Sequence, residues 1–197
     1  MKKTILALAI AGFALQASAT VITFESLASP DDNVSIGTSY TESGFALNDI
    51  TPASPANGFG TWGTSNYFFG GSTALFNNDY DGYSKLTQVG GGAFQLNAID
   101  LTVMFPTVTT DGTDVTFIGT KLDNTTVTAS FHVTDAGTQT FAFTGFTDLA
   151  SVSWANDSNL HQFDNINVAA VPEPETYAMF MAGLAVIGGV ARRRLPR

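Results

Sequence analysis

The chain has 197 residues, 12% of them aromatic and 13% charged, with 19 glycines and no cysteine. This composition has room for one domain with a hydrophobic core, and it excludes disulfides, thiolate metal sites and a cysteine nucleophile. Residues 20–171 carry 15 Asp and Glu against two lysines, a formal charge of −13. That charge argues against nucleic acid as a partner, because phosphate binding needs a basic patch. Sugars or divalent cations are better suited as partners, and solubility alone is the competing explanation for the charge.

The first 19 residues have the layout of a secretory signal peptide. Lys2 and Lys3 precede an apolar stretch over residues 5–15, and Ala17-Ser18-Ala19 is a small-residue ending. We therefore predict a signal helix that is removed after Ala19, and export of the remaining chain.

Residues 20–170 read as short β-strands separated by Gly, Asn and Asp, with hardly any helical periodicity. Apolar and polar residues alternate over 127–133, as in a half-buried strand, and a phase shift within 93–105 predicts a β-bulge near Asn97. Segments 30–35 and 51–64 are predicted loops. The prediction is an antiparallel β-sandwich of jelly-roll type. The predicted strands are 21–25, 44–47, 73–76, 85–89, 93–105, 115–117, 127–133, 141–143, 149–154 and 163–168.

The tail, residues 171–197, has three parts: a stiff Pro-Glu-Pro segment, the uncharged run 177–191, and an arginine cluster. As a helix the run would extend about 22 Å, short against a hydrocarbon layer of about 30 Å. Flanking interfacial residues extend it, so we predict a short transmembrane helix whose arginines lie in the cytoplasm. The motif residues are Pro172, Glu173, Pro174, Arg192, Arg193 and Arg194.

This tripartite order strongly resembles the PEP-CTERM sorting signal of exopolysaccharide-producing Gram-negative bacteria. The resemblance implies export, transient anchoring in the inner membrane, and recognition by an exosortase, the membrane enzyme thought to cleave near Pro-Glu-Pro. The destination would be the cell surface or the extracellular matrix. Such tails also carry the label ice-binding protein C-terminal domain, which is no evidence of ice binding. The expected domains are 1–19, 20–170 and 171–197.

Four stretches of the body, VITFESL, YTESGFALN, GGGAFQLNAIDLT and FDNINV, look like a recurring group of PEP-CTERM cargo domains. This similarity implies a sandwich related in style to non-catalytic carbohydrate-binding jelly rolls. In such modules the first and last strands often lie together, and acidic residues there hold a structural Ca²⁺ through oxygen ligands. Glu25 and Asp164 are the candidates here, and the residues that could add oxygens are Asp31, Asp32 and Asn165. The alternative is a carboxylate that caps backbone amides or faces solvent.

A second calcium candidate is NNDYDGY, in which Asn77, Asp79 and Asp81 precede Gly82 as in the start of an EF-hand loop. Gln88 replaces the expected bidentate Glu, so an Asp-Gly turn is the competing interpretation.

A third candidate site is aromatic. Rings interleaved with Asn and Gly can hold sugars by stacking and directional hydrogen bonds, although core packing explains the same residues. Trp62 and Tyr80 are the favoured ligand contacts. The whole group is Trp62, Tyr67, Phe68, Phe69, Tyr80 and Tyr83.

Catalytic signals are weak. His132 with Asp135, or His161 with Asp164, could form a base and its orienting group, but no nucleophile motif accompanies either histidine. We therefore expect a non-enzymatic surface or matrix protein that binds carbohydrate or contributes structure. The alternative is a polysaccharide hydrolase or lyase on the same fold.

Overall fold

The computed structural model describes residues 19–50, 57–79, 82–104, 111–134, 137–156, 161–171, 181–184 and 187. Of these residues, those between 19 and 171 form strands and one 3-10 helix, Glu25–Leu27. The strands are β1 (Ala19–Ile22), β2 (Asn33–Gly37), β3 (Ser39–Glu42), β4 (Phe45–Asp49), β5 (Phe59–Trp62), β6 (Leu75–Asn77), β7 (Gly82–Gln88), β8 (Phe94–Val103), β9 (Thr113–Lys121), β10 (Thr126–Val133), β11 (Gln139–Ala142), β12 (Leu149–Asn156) and β13 (His161–Ala170).

The strands form two antiparallel sheets. In the front sheet, β13 pairs with β8 on one side and with β1 and β6 on the other; β11 extends the sheet from β8, and β5 and β2 extend it from β6. The back sheet has the order β3, β4, β7, β12, β9, β10. Between the described strands, one registered pair, Leu149 with Phe94, links the two sheets.

Eight of the strands follow jelly-roll order. They are β1-β13-β8-β11 in the front sheet and β7-β12-β9-β10 in the back sheet, which is the arrangement of two Greek keys. The strands β2 to β6 are inserted between the first two of these and widen both sheets. The predicted antiparallel jelly-roll sandwich is therefore confirmed.

Aromatic side chains fill the space between the sheets. Trp154 of the back sheet meets Phe163 of the front sheet edge-on, with ring centroids 5.0 Å apart. Phe45 likewise meets Phe94 at 5.5 Å across the sandwich. Their alternation with outward residues follows from the two-residue period of a strand. Each fully buried ring contributes about 1.5–3 kcal/mol to the hydrophobic free energy of folding.

The strand boundaries correct parts of the sequence-based prediction. Segments 30–35 and 51–64 are loops in the sequence-based prediction, but β2 begins at Asn33 and β5 occupies Phe59–Trp62. The Gly, Ser and Pro residues of these segments are typical of loops, which is why the strands were not predicted. At least one of these glycines has a packing role, because a Cβ at Gly60 would lie 2.8 Å from the ring of Phe76. Glu25 begins the 3-10 helix and does not belong to the first strand.

The bulge predicted near Asn97 is confirmed. Val168 pairs with Leu96 and Asn167 pairs with Ala98, so Asn97 is an extra residue in β8. A second shift between Asp164 and Asn167 compensates for it on β13. The bulges keep apolar side chains inward on both sides of the irregularity.

Candidate functional site

The loop between β5 and β6 lies over the outer face of the front sheet. Asn66 fixes its shape, because its amide nitrogen donates to Asp32 Oδ1 at 2.7 Å and its Oδ1 accepts from Phe68 N at 2.7 Å. The backbone N–H of Asn66 also donates to Gly63 O at 2.9 Å. These bonds hold the aromatic part of the loop beside β8 and β13.

The aromatic residues of this region divide into packed and exposed rings. Trp62 stacks on Phe76 with centroids 4.9 Å apart and contacts Phe68 at 5.5 Å. Tyr67 meets Phe68 edge-on at 5.3 Å, yet 81% of Tyr67 is exposed. Trp62 thus lies against other rings, and Tyr67 is the most exposed ring among the described members of the group. Tyr80, the other favoured ligand contact, lies outside the described residues.

Tyr67 lines an open cleft of about 180 Å³ on the front sheet, bounded by the loop residues 67–70, by β8 and by Gln162 of β13. Gln162 is only 3% exposed, and its Nε2 donates to Phe68 O at 3.2 Å. The Thr102 hydroxyl lies 2.8 Å from Thr138 Oγ1. The cleft therefore combines an exposed aromatic ring with amide and hydroxyl groups, which suits a polar ligand that has apolar faces.

Two carboxylates lie next to the cleft. Asp100 and Asp164 are registered partners on β8 and β13, each two residues from a cleft residue, Thr102 or Gln162. Residues two apart on a strand share a face. The Asn165 side-chain amide bridges the pair, donating to Asp100 Oδ2 at 2.9 Å and to Asp164 Oδ2 at 3.3 Å.

Both carboxylates accept further hydrogen bonds. Thr140 Oγ1 donates to Asp100 Oδ1 at 2.5 Å, Asn165 N donates to Asp164 Oδ1 at 2.7 Å, and Ser72 donates to Asp164 Oδ2. Burial, together with the negative charges of Glu25 and Asp100, raises the pKa of Asp164 to about 6, although the bonds from Ser72 and Asn165 oppose this increase. The carboxylate is thus desolvated but internally bonded.

Glu25 lies close enough to Asp164 to affect its pKa, so the structure brings the two predicted calcium residues together. Glu25 accepts hydrogen bonds from Thr73 N at 3.2 Å and Thr73 Oγ1 at 3.4 Å. Across the described ranges, no group of three or more His, Cys, Asp or Glu residues is placed to hold a metal ion. Calcium binding at Glu25 and Asp164 stays a prediction.

The second calcium candidate is built into the fold differently. Asp79 is 5% exposed and accepts from Asn57 N at 2.8 Å, Asn57 Nδ2 at 2.7 Å and Gly58 N at 3.3 Å. Asn77 Oδ1 accepts from Asp79 N at 2.9 Å. Both Asp79 oxygens therefore bind the 57–58 segment. Asp81 lies outside the described residues.

The two histidines lie in different surroundings. His132 Nδ1 is 2.7 Å from Asp114 Oδ1 on the exposed face of the back sheet, and this bond raises the pKa of His132. Its predicted partner Asp135 lies outside the described residues. His161 is 2% exposed, and burial lowers its pKa to about 4. His161 Nε2 has no hydrogen-bond partner in the described part of the chain.

The predicted sorting residues Pro172, Glu173, Pro174, Arg192, Arg193 and Arg194 lie outside the described residues. So do residues 1–18, which hold most of the predicted signal helix. Of the predicted transmembrane helix, residues 181–184 and 187 are described and are helical. In the part of the chain that the structure describes, no helix is long and apolar enough to span a bilayer.

Comparison with known proteins identifies the tail and some structural likenesses. Residues 170–194 match the PEP-CTERM protein-sorting motif, which confirms the identification of the tail as such a signal. No curated protein matches the chain.

Solved structures similar to this one include family 29 carbohydrate-binding modules. One is a mutant CBM29-2 module complexed with mannohexaose, with 12% identity and a TM-score of 0.45, covering 79% of this chain and 93% of the other. Another is a family 29 module with 12% identity and a TM-score of 0.42, covering 82% of this chain and 98% of the other.

Three residues of the cleft region were not singled out from the sequence: Thr102, Gln162 and Asp100. Each is a polar residue in an otherwise ordinary strand pattern. The pairing of β8 with β13 is what brings them together, and no local spacing signals that pairing. Tyr67 belonged to the predicted aromatic group, but the sequence does not show which rings of that group pack together and which stay exposed.

Proposed function

We propose that this is an exported, non-enzymatic surface or matrix protein whose sandwich binds a glycan in the Tyr67 cleft. The observation that carries the proposal is the 81% exposure of Tyr67 in a cleft that also presents Gln162 and Thr102. Pyranose rings have apolar faces that stack on aromatic side chains and hydroxyls that bond to amides. An exposed tyrosine held by a fixed loop loses little conformational entropy when it binds such a ring.

The sorting motif supports the proposed location. The match at residues 170–194 is the basis for proposing recognition by an exosortase and transient anchoring through the apolar run 177–191. The signal peptide predicted at residues 1–19 would deliver the chain across the inner membrane. A glycan-binding domain sorted in this way would reside at the cell surface or in the exopolysaccharide matrix.

A binding role fits the carboxylates better than catalysis does. A glycosidase needs one carboxyl group to protonate the leaving oxygen and a second to act as base or nucleophile. Asp164 has the raised pKa of an acid, but its oxygens and those of Asp100 already accept bonds from Ser72, Asn165 and Thr140. The pair is thus arranged to stabilise the strands and not to contact a substrate.

A glycan array with the full chain in mild detergent tests this function. The array includes the exopolysaccharide of the producing cell, and Tyr67→Ala is compared with Tyr83→Ala, a partly exposed tyrosine on the back sheet. We expect Tyr67→Ala to weaken binding about tenfold or more and Tyr83→Ala to leave it unchanged. Equal binding by all three proteins would reject the cleft, and release of new reducing ends would favour the hydrolase.

A further inference from the structure

Among the residues that the structure describes, no cation lies on the front sheet to balance its negative charge. Asp100, Asp164 and Glu25 lie together beside the cleft. The body has two lysines, and both are in the back sheet, Lys85 on β7 and Lys121 on β9. A ligand in the cleft therefore lies closer to the carboxylates than to either lysine strand.

The carboxylates are within electrostatic reach of a ligand in the cleft. Asp100 and Thr102 are two residues apart on β8, and Gln162 and Asp164 are two apart on β13. Such positions are separated by about 7 Å along a strand. That separation is shorter than the screening length of physiological salt, about 8 Å, so an opposite charge on the ligand is attracted to the carboxylates.

We propose that the glycan of the Tyr67 cleft is a polysaccharide of hexosamine units with free amino groups. This inference rests on the proposed function and specifies its ligand class. An ammonium group on the sugar supplies the positive charge that the carboxylates lack, while the ring stacks on Tyr67. N-acetylation removes that charge, and a uronic acid reverses it, so both weaken binding.

The carboxylates act through their field and need no direct bond to the sugar. The oxygens of Asp100 and Asp164 are bonded to Thr140, Asn165 and Ser72, which fixes the position of the charges. Glu25, which is exposed, adds a third negative charge at the same place. Fixed charges of this kind contribute to ligand choice without the entropic cost of ordering a side chain.

The test measures binding of three hexasaccharides to the full chain at about pH 6.5, with EDTA present so that no divalent cation bridges the carboxylates. The probes are β-1,4-linked glucosamine, its fully N-acetylated form, and α-1,4-linked galacturonate. We expect the glucosamine hexasaccharide to bind about five- to tenfold more tightly than the acetylated one, and the galacturonate to bind least. Raising the salt concentration should remove most of this preference.

Variants separate this inference from the function on which it rests. Glu25→Gln and Asp100→Asn should each reduce the preference for the free amine, whereas Asp114→Asn, an exposed carboxylate on the back sheet, should not. Because Asp100 bonds within the fold, Glu25→Gln provides the result if Asp100→Asn is unstable. Binding that depends on Tyr67 but is equal for the amine and acetylated probes would overturn the inference and leave glycan binding standing. If none of the three probes binds, both proposals fail for this ligand class.

Discussion

Asp100 and Asp164 face each other across β8 and β13, and a single amide, the side chain of Asn165, donates a hydrogen bond to each. This amide keeps the two carboxylates side by side, and Asp164 is the buried member of the pair. Burial is the main reason why the pKa of Asp164 is raised from 3.8 to about 6, and the negative charges of Glu25 and Asp100 contribute to the increase.

Asp164 and His161 should affect the pH dependence of stability in opposite directions. The folded pKa of His161 is about 4 against 6.5 when unfolded, so its stability contribution is complete above pH 6.5 and is lost as the pH falls toward 4. The folded pKa of Asp164 is raised, so ionising it costs stability as the pH rises from 3.8 to about 6. The two effects overlap and partly cancel.

Removing one group should expose the effect of the other. Asp164→Asn leaves His161, so the free energy of unfolding should fall by about 3 kcal/mol at most between pH 6.5 and 4. His161→Gln leaves Asp164, and stability should then decrease as the pH rises over the same interval. Urea unfolding at several pH values measures both slopes. Identical pH profiles for the two variants would contradict the assignment.

Gly63 occupies a position that no side chain can enter. A Cβ there would collide with the backbone oxygen of Asp31 and lie 2.8 Å from Ser29 O. We expect Gly63→Ala to lower the free energy of unfolding by about 1–3 kcal/mol, because backbone must move. Gly70→Ala is the control, since its nearest neighbour would be Thr138 Oγ1 at 3.8 Å. Equal midpoints for the two variants in thermal unfolding would contradict this prediction, because they would show that the backbone of residues 29–31 moves at little cost in free energy.

Asp79 should stabilise the fold by binding backbone amides, with no need of calcium. Asp79→Ala leaves Asn57 N and Gly58 N without their acceptor and should cost about 2–3 kcal/mol. Asp114→Ala, which removes an exposed pair with His132, should cost much less, because solvent screens the pair. Denaturant unfolding with and without calcium makes the comparison. A calcium-dependent loss at Asp79 would support the metal-loop hypothesis.

The predicted calcium site at Glu25 and Asp164 is tested by chelation. If calcium is held there, EDTA should lower the melting temperature of the full chain and added calcium should restore it. The Asp164→Asn variant should then show no response to either treatment. Unchanged melting of the native chain in EDTA would end the calcium hypothesis.

The sorting motif predicts a change of cellular location when it is lost. Deleting residues 172–197 keeps Val171, whose N–H donates to Ala93 O at 2.8 Å, so the sandwich should remain folded. The truncated protein should leave the surface fraction and accumulate as a soluble exported form. Replacing Pro172 and Pro174 with Ala, with the apolar run intact, should instead retain protein at the membrane. Unaltered fractionation in both strains would refute the sorting role.

The sequence supports the class of fold because its cues are local. Alternation over 127–133 predicts a strand whatever it pairs with, and the phase shift at Asn97 predicts a bulge from β8 alone. The strands β2 and β5 were missed because glycine and serine mask them, and their stability comes from pairing with each other and with β6. Their existence depends on partners that a local pattern does not reveal.

The cleft could be predicted only in part for a related reason. The aromatic group was visible in the sequence, but the sequence did not show that Trp62 packs against Phe68 and Phe76 while Tyr67 stays exposed. Asp100 was invisible as a site residue until its register with Asp164 was known. The tail was the opposite case, since its three parts are contiguous and need no fold to be recognised.

The position of β13 sets the order in which an exported chain can fold. This last strand lies between β8 on one side and β1 and β6 on the other, and it ends at Ala170, where the sorting motif begins. A chain threaded across a membrane from its N-terminus exposes β1 and β8 long before the strand that must separate them. Closing the front sheet therefore waits for the final segment, as expected for a fold of distant pairings. The motif follows β13 directly, so the front sheet is completed only when the motif is also being translocated. A delay in translocation therefore prolongs the time that the incomplete sheet stays open.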